Sequence, residues 1–280
     1  MSYHCRIVVG LVFSLNLLSS QYNPDNHVVT VVEYNLKYLS EVEDGSPEER
    51  KEIFETYYQK LNDASDLMIS SLVLGHYFGG SADQVKVVTE WKSLADADKW
   101  VTSGSDRTKK MWPDEDLRKA SLEKYSKYWT GKHTDLAVRE IVASRIKRYK
   151  KKNDENTIVS IQTRNLRPIS KVEGGSTEER EALMDEYFKK VVMTNDKVLS
   201  SRELRHYWSG SAGGGVYYYV QMREYKSLED MNNPGWNEVH EKAWPNETKR
   251  EEFFQKASKY FMPGHTDLGV HWNWVKMSKR

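Results

Sequence analysis

The chain has 280 residues, of which 38% are hydrophobic and 30% are charged, and its 42 Lys and Arg side chains nearly balance 41 Asp and Glu, giving a formal net charge of +1. This composition excludes a disordered chain and a membrane-embedded one. The near balance of charge also argues against a nucleic-acid-binding protein, which needs a basic excess on some surface. Cys5 is the only cysteine, so the remainder of the chain can form neither a disulfide nor a thiolate metal site.

The first 21 residues differ from the rest of the chain. Arg6 precedes an apolar stretch over residues 7–18, and Ser19-Ser20-Gln21 follows it. This order of charged, apolar and small residues is typical of a secretory signal peptide, so we predict a signal over 1–21 and an extracytoplasmic protein, secreted or periplasmic. The apolar stretch is short for a membrane span, and no stable membrane insertion is expected after cleavage. An uncleaved anchor or an ordinary buried segment remains the alternative.

The next part of the chain predicts alternating strands and helices. A β-branched run predicts the first strand, and Ser46, Pro47, Glu48 and Glu49 are typical of a helix start. In chain order, the predicted elements are a strand over 28–36, a turn at 44–45, a helix from Ser46, strands over 72–78 and 84–91, a short helix from Ser93, a helix over 114–128 and a strand over 134–141.

The same order then recurs about 130 residues later in the sequence. The segment over residues 35–50 reappears at 165–180, and His133-Thr-Asp-Leu136 reappears at 265–268. The predicted elements of this second copy are strands over 157–166, 199–208, 216–225 and 266–274, with helices from Ser176, Leu228 and Glu247. We therefore predict a first module over 26–142, a basic linker over 143–155 and a second module over 156–276.

The order β-α-β-β-α-β predicts an α+β fold of two ferredoxin-like modules whose helices cover one face of an antiparallel sheet. Two such units that pair sheet to sheet close a shared barrel. In this the chain resembles the dimeric α+β barrel superfamily, here as a pseudo-dimer within one chain. The resemblance implies a ligand cavity between each sheet and its neighbouring elements. Families with this fold include cofactor-free monooxygenases, polyketide cyclases, chlorite dismutases and dye-decolourising peroxidases, so the fold does not select the function.

Four residues are candidates for catalysis. His76 and His206 both end the second strand of their module, where an imidazole could act as an acid or base or bind haem iron. Glu90 and Glu224 lie near the end of the third strand, and we expect burial beside apolar groups to raise the pKa of Glu224. The alternatives are structural: the histidines could bond the hairpin backbone, and the carboxylates could pair with neighbouring cations.

Residues on strand faces and strand ends are candidates for ligand contacts. One face of the third strand in the second module carries tyrosines together with Arg223, a mixture that could line an aromatic-binding cavity. Its first-module counterpart is plainer, which predicts a site in the second half. The full set of predicted ligand-binding residues is Tyr217, Tyr219, Arg223, Trp208, Asn165, Asn35 and His271.

These observations predict an exported barrel protein that binds a small, partly aromatic molecule, with acid–base or cofactor-free oxidative chemistry as its candidate activity. The first alternative is a haem-binding barrel with His206 or His76 as axial ligand. The second is a non-catalytic structural or protein-interaction module, for which a further oligomer would hide the tyrosines. No protein-bound metal site is predicted apart from the haem of the first alternative, and the absence of nucleotide, zinc and serine-hydrolase motifs argues against those classes.

Overall fold

The computed structural model describes residues 26–149, 154–207 and 217–280. The predicted signal over 1–21, Trp208 and the glycines of the second hairpin lie outside the described residues. Residues 150–153, in the predicted linker, lie outside them as well.

The first half contains four strands and four helices. Ser46 caps the first helix by accepting a hydrogen bond from the backbone N–H of Glu49 at 3.0 Å, as the sequence predicts. The elements are β1 (His27–Leu36), α1 (Pro47–Ala64), β2 (Met68–His76), β3 (Gln84–Trp91), α2 (Leu94–Thr102), α3 (Gly104–Met111), α4 (Glu115–Lys127) and β4 (Trp129–Lys147).

The second half repeats this order with shorter helices. Ser176 caps its first helix through the backbone N–H of Glu179, also at 3.0 Å. The elements are β5 (Thr157–Leu166), α5 (Thr177–Tyr187), a π-helical turn (Phe188–Val192), β6 (Val198–His206), β7 (Tyr217–Tyr225), α6 (Leu228–Asn232), α7 (Trp236–Ala243), α8 (Glu247–Ser258), β8 (Thr266–Asn273) and a 3₁₀ turn (Val275–Met277).

The eight strands form one closed barrel in the order β1-β3-β2-β8-β5-β7-β6-β4. Neighbouring strands are antiparallel throughout. Read from β4, the first half has the order β4-β1-β3-β2, and the second half has the equivalent order β8-β5-β7-β6. The two halves meet where β2 pairs with β8 and where β4 pairs with β6. Each of the eight strands therefore has a paired neighbour on both sides.

Strand alternation divides the side chains between the inside and the outside of the barrel. The apolar interior takes residues from seven of the strands: Val29, Leu72, Leu74, Val88, Ile141, Val159, Ile161, Leu204, Val220 and Met222. The alternate residues of β2 and β3 instead pack beneath α1, among them Val73, Val85 and Val87. The helices therefore cover the outer face of the barrel.

Several boundaries differ from the sequence prediction. β4 begins at Trp129 and continues to Lys147, five residues into the predicted linker, because it pairs with β1 along its first part and with β6 along its last. α3 and α7 were not predicted, since each is only eight residues long and gives too short a window for a periodic pattern. Within the described ranges, no helix is long and apolar enough to cross a membrane.

Candidate functional site

Glu90 lies inside one end of the barrel and is saturated with donors. Arg148 binds both carboxylate oxygens, at 2.6 and 2.9 Å, and Ser70 Oγ donates at 2.6 Å. His27 Nδ1 lies 2.6 Å from Oε1. Burial alone would raise the pKa, but the hydrogen bonds from Arg148, Ser70 and His27 outweigh it and lower the pKa of Glu90 to about 2.

Glu224 has the equivalent place in the second half. Ser200 Oγ donates to it at 2.6 Å and Asn273 Nδ2 at 3.0 Å, and Thr157 and Arg280 complete the set of donors. Its side chain is buried, as strand alternation predicts. The expected rise in pKa is wrong, however: burial acts in that direction, but Arg280 and the hydrogen bonds lower the pKa of Glu224.

The two carboxylates flank a buried arginine. Arg202 is buried, interacts electrostatically with Glu90 and Glu224, and donates from Nη2 to Ser70 Oγ at 3.3 Å. Removing one partner of such a buried ionic group leaves a charge without compensation, which is strongly destabilising. Glu90 and Glu224 therefore have the bonding of structural anchors that close this end of the barrel.

The predicted histidines lie in three different environments. His76 is exposed and its Nδ1 lies 3.3 Å from the carbonyl of Gly79, which matches the structural alternative of a hairpin contact. His271 pairs with His76 across β2 and β8 but is buried. Burial, with a smaller effect from nearby Lys86, lowers the pKa of His271 to about 4. His206 is half-buried at the end of β6, with its ring 6.4 Å from that of Tyr217.

A cavity of about 640 Å³ lies between α5, the turn before it and the outer face of β4, β6 and β7. Three predicted site residues line it: His206, Tyr217 and Tyr219. Tyr219 is buried against Leu166 and Met184, whereas Tyr217 is 42% exposed. The cavity thus has an aromatic wall that is closed at one end and open to solvent at the other.

Another part of the cavity lining, here called the ionic wall, carries Arg145, Glu181 and Glu203. Arg145 is buried and binds Glu181 from Nη2 at 2.9 Å and Asp185 from Nε at 2.7 Å. Its Nη1 lies 3.9 Å from Glu203 Oε2. These partners hold the Arg145 side chain in place and keep its pKa above the usual value despite burial.

Glu203 is the buried carboxyl group of this wall and was not predicted. It is 4% exposed, and its Oε1 accepts a hydrogen bond from Gln221 Nε2 at 3.1 Å. Burial raises the pKa of all three carboxyl groups. For Glu203 the net shift is also upward, because it has fewer hydrogen-bond donors than Glu90 and Glu224 to oppose the effect of burial. Among the described residues, Glu203 Oε2 and Gln221 Oε1 have no hydrogen-bond partner.

The equivalent positions in the first half are apolar. Register pairs Val73 with Val87 in β2 and β3, as it pairs Glu203 with Gln221 in β6 and β7. Met277 stands three residues before Arg280, as Arg145 stands three residues before Arg148, and Met277 packs in the core beneath α1. Comparison of the strand segments 70–76 and 200–206 could have revealed Glu203, because a carboxylate replaces a valine there.

The remaining predicted contacts lie away from the cavity. Arg223 places its guanidinium 5.0 Å from the ring centre of Trp236. Asn35 Oδ1 accepts from Gln84 Nε2 at 3.4 Å, and the Asn165 carbonyl accepts from the backbone N–H of Met262 at 3.0 Å. None of these residues lines the cavity. A second cavity of about 610 Å³, beside α7, contains none of the predicted site residues.

The cavity residues do not fit a haem. A porphyrin needs a largely apolar slot, but the lining of this cavity also carries Arg145, Glu181 and Glu203. His76, the other proposed axial ligand, does not line this cavity. In the described part of the chain, no group of three or more His, Cys, Asp or Glu side chains is arranged to hold a metal ion.

No family model matches the sequence, and no curated protein matches it. Solved structures of similar fold include an anthrone oxidase-like protein, 12% identical over 89% of this chain and 92% of that chain, with a TM-score of 0.39. A candidate monooxygenase from Fusobacterium nucleatum is 9% identical over 89% and 94%, with a TM-score of 0.44. A mutant chlorite dismutase from Candidatus Nitrospira defluvii is 12% identical over 90% and 93%, with a TM-score of 0.43. This chain is similar to these proteins in its mixed α+β barrel fold.

Proposed function

We propose that this protein binds a small, partly aromatic molecule in the cavity between α5 and the outer face of β6 and β7. The observation that carries the proposal is the pairing of an aromatic wall with a buried ionic wall around about 640 Å³ of space. Tyr217 and Tyr219 offer flat apolar surface, and Arg145 and Glu203 offer polar contacts in the same lining. Such a combination is typical of small-molecule sites.

The candidate proton-transfer group in this cavity is Glu203. Burial raises the pKa of this carboxyl, and a buried carboxyl with a raised pKa beside a cavity is a candidate for proton transfer. His206 lines the same cavity. Glu90 and Glu224 are poorer candidates, because each carboxylate is already bonded to an arginine and to hydroxyl donors.

Burial of the tyrosines favours this proposal over an interaction module. That alternative needs the tyrosine face of β7 at a protein surface, but Tyr219 and Tyr225 are buried within this chain. We extend the proposal to two ferredoxin-like modules, supported by the equivalent strand orders of the two halves. Export directed by residues 1–21 is also part of the proposal and rests on the sequence of that segment.

The proposal is tested by screening aromatic fragments by ligand-observed NMR against the full chain and against Glu178→Trp. Glu178 lies at the start of α5 and lines the cavity, so an indole there should obstruct it. We expect fragment binding to weaken by at least about tenfold. Glu48→Trp, at the equivalent position of α1, is the control and should leave binding unchanged.

Unchanged binding by Glu178→Trp, or an equal loss in both variants, would show that the fragments bind elsewhere. The purified protein should also be examined by native mass spectrometry. A retained small molecule that is absent from Glu178→Trp but present in Glu48→Trp would support the cavity as its site.

A further inference from the structure

Two buried oxygen atoms have unused acceptor capacity, one on Glu203, which lines the cavity, and one on Gln221, its neighbour across β6 and β7. Glu203 Oε2 and Gln221 Oε1 are buried, and neither accepts a hydrogen bond from any described residue. The other polar atoms of the same two side chains are already bonded to each other, since Gln221 Nε2 donates to Glu203 Oε1 at 3.1 Å. Buried polar atoms are nearly always hydrogen-bonded in folded proteins, so an orphaned pair beside a cavity indicates a missing donor.

The charges around these oxygens restrict what that donor can be. Arg145 Nη1 lies only 3.9 Å from Glu203 Oε2, so a ligand cation at this oxygen would lie close to a buried guanidinium. A ligand anion has no hydrogen to donate to the two acceptor oxygens. A neutral N–H or O–H group suits the site, because it donates to an acceptor without adding charge.

The aromatic wall supplies the second requirement. Tyr219 is buried and Tyr217 is partly exposed on the same strand, and both line the cavity with Glu203. A flat ring placed against the tyrosines can carry its polar edge towards β6. The position of Glu203 in β6, beside β7, puts the carboxyl next to this aromatic surface.

We propose that the cavity selects neutral aromatic molecules that carry an N–H or O–H donor, and that Glu203 Oε2 accepts this donor with Gln221 as the neighbouring acceptor. This inference rests on the proposed function and names the ligand class and the residue that determines specificity. Glu203 then distinguishes ligands by the presence of a donor, because leaving its buried oxygen unpaired is costly.

The experiment compares four ring-matched probes by NMR titration of the full chain. Indole carries one N–H donor, benzofuran has the same shape without it, and tryptamine and indole-3-acetate add a positive and a negative charge. We expect indole to bind the protein at least about fivefold more tightly than benzofuran, and also more tightly than either charged probe. Equal binding of indole and benzofuran, or preference for a charged probe, would overturn the inference.

Variants then assign the preference to the named oxygen. Glu203→Val, the residue found at the equivalent first-half position, should abolish the difference between indole and benzofuran, and Gln221→Val should reduce it. Glu203→Gln keeps the size of the side chain and should also weaken the preference. It provides the test if the valine variant does not fold. Glu33→Val, a strand carboxylate of the first half, is the matched control.

A preference for indole that survives both Glu203 variants would also overturn the inference. The proposed function fails separately if the probes bind equally well to Glu178→Trp. Absence of binding by all four probes would overturn the proposed function and this inference together.

Discussion

The two halves of the barrel share the hydrogen bonds at their helix starts but differ in the residues that pack beneath the first helix. Tyr128 and Tyr260 each donate a hydroxyl to the glutamate at the third position of the first helix of their half, and each accepts from the N–H of the capping serine at 3.0 to 3.1 Å. Beneath α1, however, twelve buried residues form one apolar cluster. Beneath α5, the buried apolar residues divide into smaller groups, and Arg145, Glu203 and Gln221 lie between them.

This difference shows that the contacts that hold the fold together can stay the same while the residues of the candidate site change. Hydrogen bonds at the helix starts and the carboxylate anchors at the barrel end are present in both halves. A few changes on the outer face of the sheet, from Val73 to Glu203 and from Val87 to Gln221, replace packing with a polar wall. One half can therefore carry specificity while the other half contributes core stability.

The largest expected effect comes from placing the second-half carboxylate in the first half. Val73 is fully buried in the apolar cluster beneath α1. Val73→Glu should lower the free energy of unfolding by about 3–5 kcal/mol, because the new carboxylate has no partner there. Urea unfolding followed by circular dichroism measures the loss.

The reverse exchange is its control. The double variant Glu203→Val with Gln221→Val removes both hydrogen-bonding partners together, so its free energy of unfolding should change by less than about 1 kcal/mol. Arg145 keeps Glu181 and Asp185 in this variant. Similar losses in the two exchanges would contradict the view that the halves differ in polarity.

The next effect concerns pH. The pKa of Glu90 is about 2 in the fold against a reference of 4.5, so its stabilising contribution is present above pH 4.5 and is lost as the pH falls towards 2. This contribution is worth about 3 kcal/mol. Glu90→Gln should lower stability at pH 7 by a similar amount and flatten the stability profile between pH 4.5 and 2, measured by urea unfolding at each pH.

Glu203 should show the opposite sign. Its pKa is raised in the fold above the reference of 4.5, so the cost of ionising it is absent below pH 4.5 and grows as the pH rises towards the folded pKa. The free energy of unfolding of Glu203→Gln, relative to that of the wild type, should therefore be higher at pH 7 than at pH 4. The same urea series decides this, and a wild-type advantage that grows towards pH 7 would refute a raised pKa.

The smallest effect tests the part that the halves share. Ser46→Ala and Ser176→Ala each remove one side-chain cap, and each should lower the free energy of unfolding by about 1 kcal/mol. Thermal unfolding of the two variants should give nearly equal shifts in Tm. Clearly unequal shifts would mean that the helix starts of the two halves differ in stability, as the residues beneath the helices do.

Local features of the fold were predictable from the sequence. β5 has the predicted limits Thr157–Leu166, and both serine caps lie where the motif indicates. β4 was underestimated because its last residues are strand only through pairing with β6. The location of the cavity wall on β7 in the second half was predicted through Tyr217 and Tyr219, whereas the ionic wall was missed because Arg145 and Glu203 come from separate strands.

The sequence by itself determined the repeated order of strands and the capped starts of α1 and α5, because these depend on neighbours within a few positions. Only the tertiary structure decided which carboxyl groups are saturated. Glu90 draws on Ser70 and Arg148, and Glu203 draws on Gln221, all distant along the chain. The pKa of a buried group depends on such partners, so two similar strand carboxylates have shifts of opposite sign.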